Sequence, residues 1–143
     1  MIQYEIKPYI GVGPLNFEMS KKDVIAILGE PDFFDTDDCT NILVGYWEEN
    51  GLQLSFEAQT ENLVSISLYS NIKNIQLGLL KLDWKKSQKF YQELIQKDSS
   101  VKKTAGITIF FDHGISVTGF MGDEDGNKSL SVFKNGLWVE AAL

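Results

Sequence analysis

The sequence predicts an α+β fold: two tandem helix-plus-antiparallel-meander units sharing one core, with the helices on one face of the sheet. Three observations carry this. A helix with signals at both ends is written between Ser20 and Pro31. Segments that alternate apolar and polar residues follow it, separated by turn residues. The same order of helix and strands then recurs after about 65 residues, too long a period for a solenoid and suited to two paired units. The units span approximately residues 1–70 and 71–143 of a single domain, within the usual domain size.

The N-terminal segment, alternating up to Pro8, reads as a strand and could be the fourth strand of the first unit. Ser20 is suited to cap a helix from about Lys21 to Leu28, with Asp23 completing a capping-box-like pair and Met19 and Val24 placed for a hydrophobic staple. Val24, Ile27 and Leu28 share a face at helical spacing. Gly29 supplies a left-handed stop and Pro31 prevents continuation. A loop is expected over residues 30–41. Residues 42–48 form a strand, Asn50-Gly51 reads as a type I′ hairpin turn, and Leu52, Leu54, Phe56 and Ala58 alternate with polar residues. After a turn at residues 60–62, Val64, Ile66 and Leu68 alternate with serines. In the second unit Asp83 caps a helix reaching about Lys97, with Phe90, Tyr91, Leu94 and Ile95 as its apolar stripe. Strands follow at Ile107–Phe111, at Ile115 and Val117, and at Leu130 and Val132. Asn135-Gly136 signals a hairpin into a last strand through Leu137, Val139 and Ala141. One long curved sheet with the helices in its concavity is the alternative arrangement.

The composition narrows the function. No apolar run approaches the roughly 20 residues that span a bilayer. The N-terminus lacks the features of a signal peptide, and the single cysteine, Cys39, admits no internal disulfide, so a cytoplasmic location is expected. The net charge is −7 and all thirteen basic residues are lysines. Both facts count against nucleic-acid binding, where arginine forks and positive charge dominate. The charge is also segregated. Residues 23–72 hold ten acids and no lysine, whereas residues 73–103 hold eight lysines and three acids. Such a chain is suited to present an acidic face that steers a basic partner.

The segment Gly13-Pro14-Leu15-Asn16-Phe17-Glu18-Met19-Ser20, followed by Val24, Leu28, Gly29 and Pro31, resembles a known signature. It is similar to the G-x-x-x-F-x-M-S/T…V…L-G-x-P opening of domains shaped like the β-lactamase inhibitor protein and the small outer-membrane assembly lipoproteins. Many small bacterial immunity proteins of toxin–immunity pairs begin similarly. The resemblance implies helices packed on an antiparallel sheet, sometimes duplicated, acting as a protein-binding module. With no lipidated cysteine and no possible disulfide, an immunity protein is the member of that group that best suits a cytoplasmic chain.

Catalytic features are scarce. His113 is the only histidine, in an Asp-His-Gly turn, and Cys39 stands beside Asp37 and Asp38, which disfavour its thiolate. Asp123-Glu124-Asp125-Gly126-Asn127 fails as an EF-hand, because the sixth and twelfth loop positions are Lys128 and Lys134. Gly11-Val12-Gly13 precedes a proline and makes no phosphate loop. The stronger constellation is acidic and aromatic: Asp32, Phe33, Phe34, Asp35, Asp37 and Asp38 in the loop, with Tyr46, Trp47, Glu48 and Glu49 approaching a hairpin tip. Aromatic side chains anchor protein interfaces and flanking carboxylates speed encounter with a basic surface. Toxins that cut nucleic acid carry basic substrate-binding surfaces. The expected function is therefore binding and neutralising a cognate toxin, plausibly a nuclease, with no catalysis, cofactor, metal, nucleic acid or membrane involved. The alternative is a small-ligand or envelope-component binding domain using a concave sheet face.

Overall fold

The structure is a computed structural model that describes residues 2–37 and 39–138. Its elements, in chain order, are β1 (Tyr4–Lys7), β2 (Gly11–Val12), β3 (Leu15–Asn16), α1 (Lys21–Leu28), β4 (Phe33–Asp37), β5 (Ile42–Trp47), β6 (Leu52–Glu57) and β7 (Leu63–Tyr69). There follow β8 (Ile75–Leu77), β9 (Leu80–Lys81), a 3-10 turn (Trp84–Lys86), α2 (Ser87–Lys97), β10 (Val101–Thr104), β11 (Ile107–Phe110), β12 (Ile115–Thr118), a second 3-10 turn (Asp125–Asn127) and β13 (Ser129–Phe133). The fold is α+β and mostly β.

The strands make two sheets. One is antiparallel and eight-stranded, in the order β10-β11-β12-β13-β7-β6-β5-β4. It consists of two four-strand meanders joined through their last strands, β7 and β13, with Ile66 opposite Val132 and Ser67 opposite Ser131. The other is five-stranded and mixed, in the order β3-β2-β1-β8-β9, with β1 and β8 parallel. The N-terminal strand therefore lies in the smaller sheet. The fourth strand of the first meander is instead β4, inside the segment expected to be a loop. Alternation in the large sheet explains its two faces. Leu54, Ile66, Val132 and Ile115 lie in register across four strands and are all buried. Gln53, Ser67, Ser131 and Ser116 lie in register one residue away and remain partly exposed. The buried row packs with Tyr4, Ile6 and Ile75 of the small sheet, with Val24 of α1 and with Phe90 and Leu94 of α2 in one hydrophobic core.

Local chemistry sets the helix ends. The Asp23 amide donates to Ser20 Oγ at 3.3 Å and the Ser20 amide donates to Asp23 Oδ2 at 3.0 Å, a complete capping box. The Gly29 N–H donates to the Ile25 carbonyl, with φ of 84° at the glycine. Ser20→Ala is expected to cost about 1 kcal/mol, read as a lower denaturant midpoint with an unchanged slope. Helical spacing misassigned one side chain of α1. Ile27 is 43% exposed, while Ile25 joins Leu28 against the core. In α2 the stripe holds, with Phe90, Tyr91 and Leu94 buried and Ile95 packed against the core. Asp83 caps the 3-10 turn that leads into it, accepting from the Lys85 amide at 3.0 Å.

Two turns differ from expectation. The β5–β6 connection holds four residues, Glu48–Gly51, closed by the Gly51 N–H donating to the Glu48 carbonyl at 3.1 Å. Gly51 has φ of 70°, and a Cβ there would collide with the Asn71 side chain. A turn does form at Asn135-Gly136, where the Leu137 N–H donates to the Lys134 carbonyl. Leu137 and Trp138 are nevertheless exposed and not in a strand, and Val139 and Ala141 lie outside the described residues.

Candidate functional site

The acidic and aromatic residues gather at the β4–β5 edge of the large sheet. Strand alternation divides them. Phe33 points to the open face, is 49% exposed, and stacks on Tyr46 with ring centroids 4.4 Å apart and planes 16° apart. These two residues are register partners on adjacent strands. Phe34 points the other way, against the core. Its ring meets Trp47 edge-on at 6.2 Å, and Lys21 Nζ lies 5.2 Å from its centroid. Asp35 and Asp37 share the face of Phe33 and are exposed. Glu48 and Glu49 project from the adjacent turn, also exposed. Asp32 lies beside them and fixes the corner: its Oδ2 accepts from the Glu48 N–H at 2.8 Å, and its own N–H donates to the Tyr46 carbonyl at 2.7 Å.

One expected contact residue is misplaced. Trp47 is 3% exposed, with its indole N–H donating to the Gly29 carbonyl at 2.9 Å, so it belongs to the core. The reason is period two: Tyr46 and Trp47 cannot face the same side of one strand. Asp38 lies outside the described residues. Asp37 closes the β4–β5 turn by accepting from the Cys39 and Thr40 amides at 3.0 and 3.4 Å. Bonding from Thr40, then from the Cys39 amide, holds its carboxyl below the usual range.

Sequence reasoning missed Gln53 and Tyr69, which extend the surface inward. The Tyr69 hydroxyl donates to Gln53 Oε1 at 2.9 Å, and burial followed by the nearby Tyr46 raises its pKa. Tyr46, Glu48, Gln53, Tyr69 and Asn71 border an open depression of about 240 Å³. Alternation could have found Tyr69, since it continues the outward-facing serine row of β7.

The sequence segregation of charge becomes a spatial one. A meander keeps sequence neighbours side by side, so the lysine-free residues 23–72 occupy α1 from Asp23 onward and one whole half of the eight-stranded sheet. Of the lysines at its borders, Lys21 in the first turn of α1 pairs with Glu61 at 2.8 Å.

The other groups singled out in the sequence have separate surroundings. Cys39 is exposed between β4 and β5, and His113 lies between β11 and β12. Five strand spacings separate the two, roughly 24 Å along the sheet. His113 Nδ1 is instead 2.8 Å from Asp98 Oδ2, whose side chain is fully buried and also accepts from the Ser100 amide. This ties the turn after β11 to the end of α2. Among the described residues no group of three or more histidine, cysteine, aspartate or glutamate side chains is placed to hold a metal ion. Likewise no described helix is long and apolar enough to cross a membrane.

Asp125, in the acidic 123–127 segment, serves lysines. Its Oδ1 accepts from Lys128 Nζ at 3.0 Å and its Oδ2 lies 2.9 Å from Lys85 Nζ. Lys128 is 2% exposed and also donates to the Trp84 carbonyl at 2.7 Å. Asp125→Ala would strand a buried ammonium, whereas Lys128→Met removes that charge and leaves only the neutral Trp84 carbonyl without its donor. The first is expected to lower the melting midpoint clearly more than the second, as thermal unfolding of both variants would show. Bonding from Lys85 and then Lys128 lowers the Asp125 pKa, and the Ser99 hydroxyl and amide lower that of Asp112. Depressed carboxyls stabilise the fold above their unfolded value of 3.8 and lose that contribution as pH falls through the folded values. Denaturant midpoints should thus drop below about pH 4, and less steeply in Asp125→Asn.

No protein-family model, curated protein or solved structure matches the chain.

Proposed function

We propose that this chain is an immunity protein that binds and neutralises a cognate toxin, a basic nuclease, through the β4–β5 edge. The observation that carries the reading is the Phe33–Tyr46 stack at the sheet edge, with Asp35 exposed on the same strand and Glu48 and Glu49 exposed in the adjoining turn, on a half-sheet whose own sequence holds no lysine. An aromatic centre with an acidic rim suits tight, electrostatically steered capture of a basic surface. The resemblance of residues 13–31 to the opening of inhibitor-like and immunity domains points the same way.

Internal repetition supports a binding-module reading as well. Each helix precedes a four-strand meander, and each is preceded by a short hairpin turning at a positive-φ glycine, Gly13 or Gly78. The last strands carry matching segments, Ser65-Ile66-Ser67-Leu68 and Ser129-Leu130-Ser131-Val132. Ser67 and Ser131 meet at the junction, their hydroxyls 2.7 Å apart. We read the chain as two related units sharing one core, with both helices on the buried face of the sheet. The cytoplasm, where a nuclease would act, is the proposed location, and the neutralising role requires no cofactor.

The test is co-expression with the products of the neighbouring genes in the native host, followed by affinity purification. A stoichiometric complex with a toxin whose activity the chain abolishes is expected. Recovery of no toxin-like partner, or of one that binds with its activity intact, would overturn the reading.

A further inference from the structure

Of the four sheet edges among the described residues, only one is both long and free of lysine. β3 and β9 are two residues each, and β10 carries Lys102 and Lys103. Short strands and edge lysines are ordinary defences against unwanted strand pairing. β4 has neither, nor a proline, glycine or bulge within Phe33–Asp37.

The direction of its backbone groups follows from neighbouring bonds. The Tyr46 carbonyl points at β4, since it accepts from Asp32, while the Asn41 carbonyl points at the β6 side, since it accepts from Ala58. Even-numbered residues of β5 therefore face β4, and their register partners Phe33, Asp35 and Asp37 face back. Phe34 and Thr36 are left with N–H and C=O groups directed away from the sheet. The outer edge offers two donors and two acceptors at strand spacing, beneath the side chains of Phe33, Asp35 and Asp37.

We infer that β4 is a docking edge that takes an extended basic strand of the partner as a ninth strand of the large sheet. This rests on the reading of the chain as an inhibitor of a basic protein and specifies how the contact is made. Backbone bonds to Phe34 and Thr36 hold the added strand. Alternate lysine or arginine side chains on it lie beside Asp35 and Asp37, and the aliphatic stem of the next such side chain covers Phe33. The same carboxylates disfavour a second copy of β4, because antiparallel self-pairing brings like charges together.

The test uses the full chain, labelled with ¹⁵N, and a capped peptide of alternating lysine and valine, with a glutamate–valine peptide as control. The lysine peptide is expected to bind with a dissociation constant below about 1 mM at about 0.15 M salt. Shifts should centre on β4 and β5, and exchange of the Phe34 and Thr36 amides should slow. Thr36→Pro removes an outward donor at an edge position that tolerates proline, so binding should fall at least about tenfold with little change in melting midpoint. Should that variant unfold, N-methylation of the peptide backbone makes the same test on the unaltered protein. Asp35→Asn should weaken binding and flatten its salt dependence. The inference is overturned if the glutamate peptide binds equally, if shifts fall elsewhere or are absent, or if N-methylation has no effect. Concentration-dependent polymers of the free chain, joining β4 to the β10 edge of another copy, would overturn it too. A toxin complex in which the Phe34 and Thr36 amides still exchange freely would sink the edge contact alone. Peptide binding without any toxin complex would support the edge and sink only the toxin reading.

Discussion

Trp84→Ala is expected to destabilise the protein by about 4 kcal/mol, several times the cost of losing the Ser20 cap. Trp84 is buried where the 3-10 turn enters α2, and its ring meets Phe120 edge-on at 5.7 Å. Phe120 in turn meets Phe90 at 6.0 Å, so the three rings form one packed group joining α2 to the loop after β12. The indole N–H donates to the Ile72 carbonyl at 2.7 Å. Removing the ring therefore opens a cavity and also leaves a carbonyl in the interior short of its donor, and both costs add. Against a typical stability of about 5–15 kcal/mol, that loss leaves a marginal fold. Trp84→Phe, which keeps most of the volume and loses the donor, should fall between wild type and alanine. Chemical denaturation of the three proteins checks the order, and a near-wild-type alanine variant would show that the aromatic group does not anchor the core.

Phe33→Ala is expected to weaken the proposed toxin complex by about 2 kcal/mol or more, roughly thirtyfold, while leaving stability nearly unchanged. The ring stacks on Tyr46 and is half exposed, so its loss removes a contact surface and leaves the core intact. Phe34, one residue along, is the internal control. Phe34→Ala should destabilise the fold, because that ring packs on Trp47. Calorimetry of the complex and thermal melts of the free variants separate the two effects. Equal affinities for wild type and Phe33→Ala would remove the stack from the interface. Charge substitution at Asp35 or Glu48 should act mainly on the association rate and its salt dependence, as exposed rim charges do.

The site was only partly readable from the chain. The composition of residues 30–49 marks an acidic and aromatic segment, and within it Phe33 stacks on Tyr46 at the β4–β5 edge, with Asp35 exposed along β4 and Glu48 and Glu49 exposed in the turn after β5. Reading Phe33–Asp37 as loop hid the most consequential fact about it. Aspartates are poor strand formers, so propensity argued for a loop, but pairing with β5 over five register positions overrides that preference. Once β4 is a strand, alternation assigns Phe33 outward and Phe34 inward. The same rule removes Trp47 from the surface.

Much of the fold obeys rules that act within a few residues. The capping box at Ser20, the stop at Gly29, the stripe of α2 and the alternation of β6, β7 and β13 all follow from contacts within a few residues. So does the charge segregation, because a meander carries sequence neighbours into space together. Tertiary structure alone decided how the pieces join: that the two meanders meet through β7 and β13, that the N-terminal strand leaves for a second sheet beside β8, and that β4 ends as an open edge. These are pairings between residues far apart in the chain. Their partners are chosen by the burial of the whole apolar face at once, a sum that no local window of sequence contains.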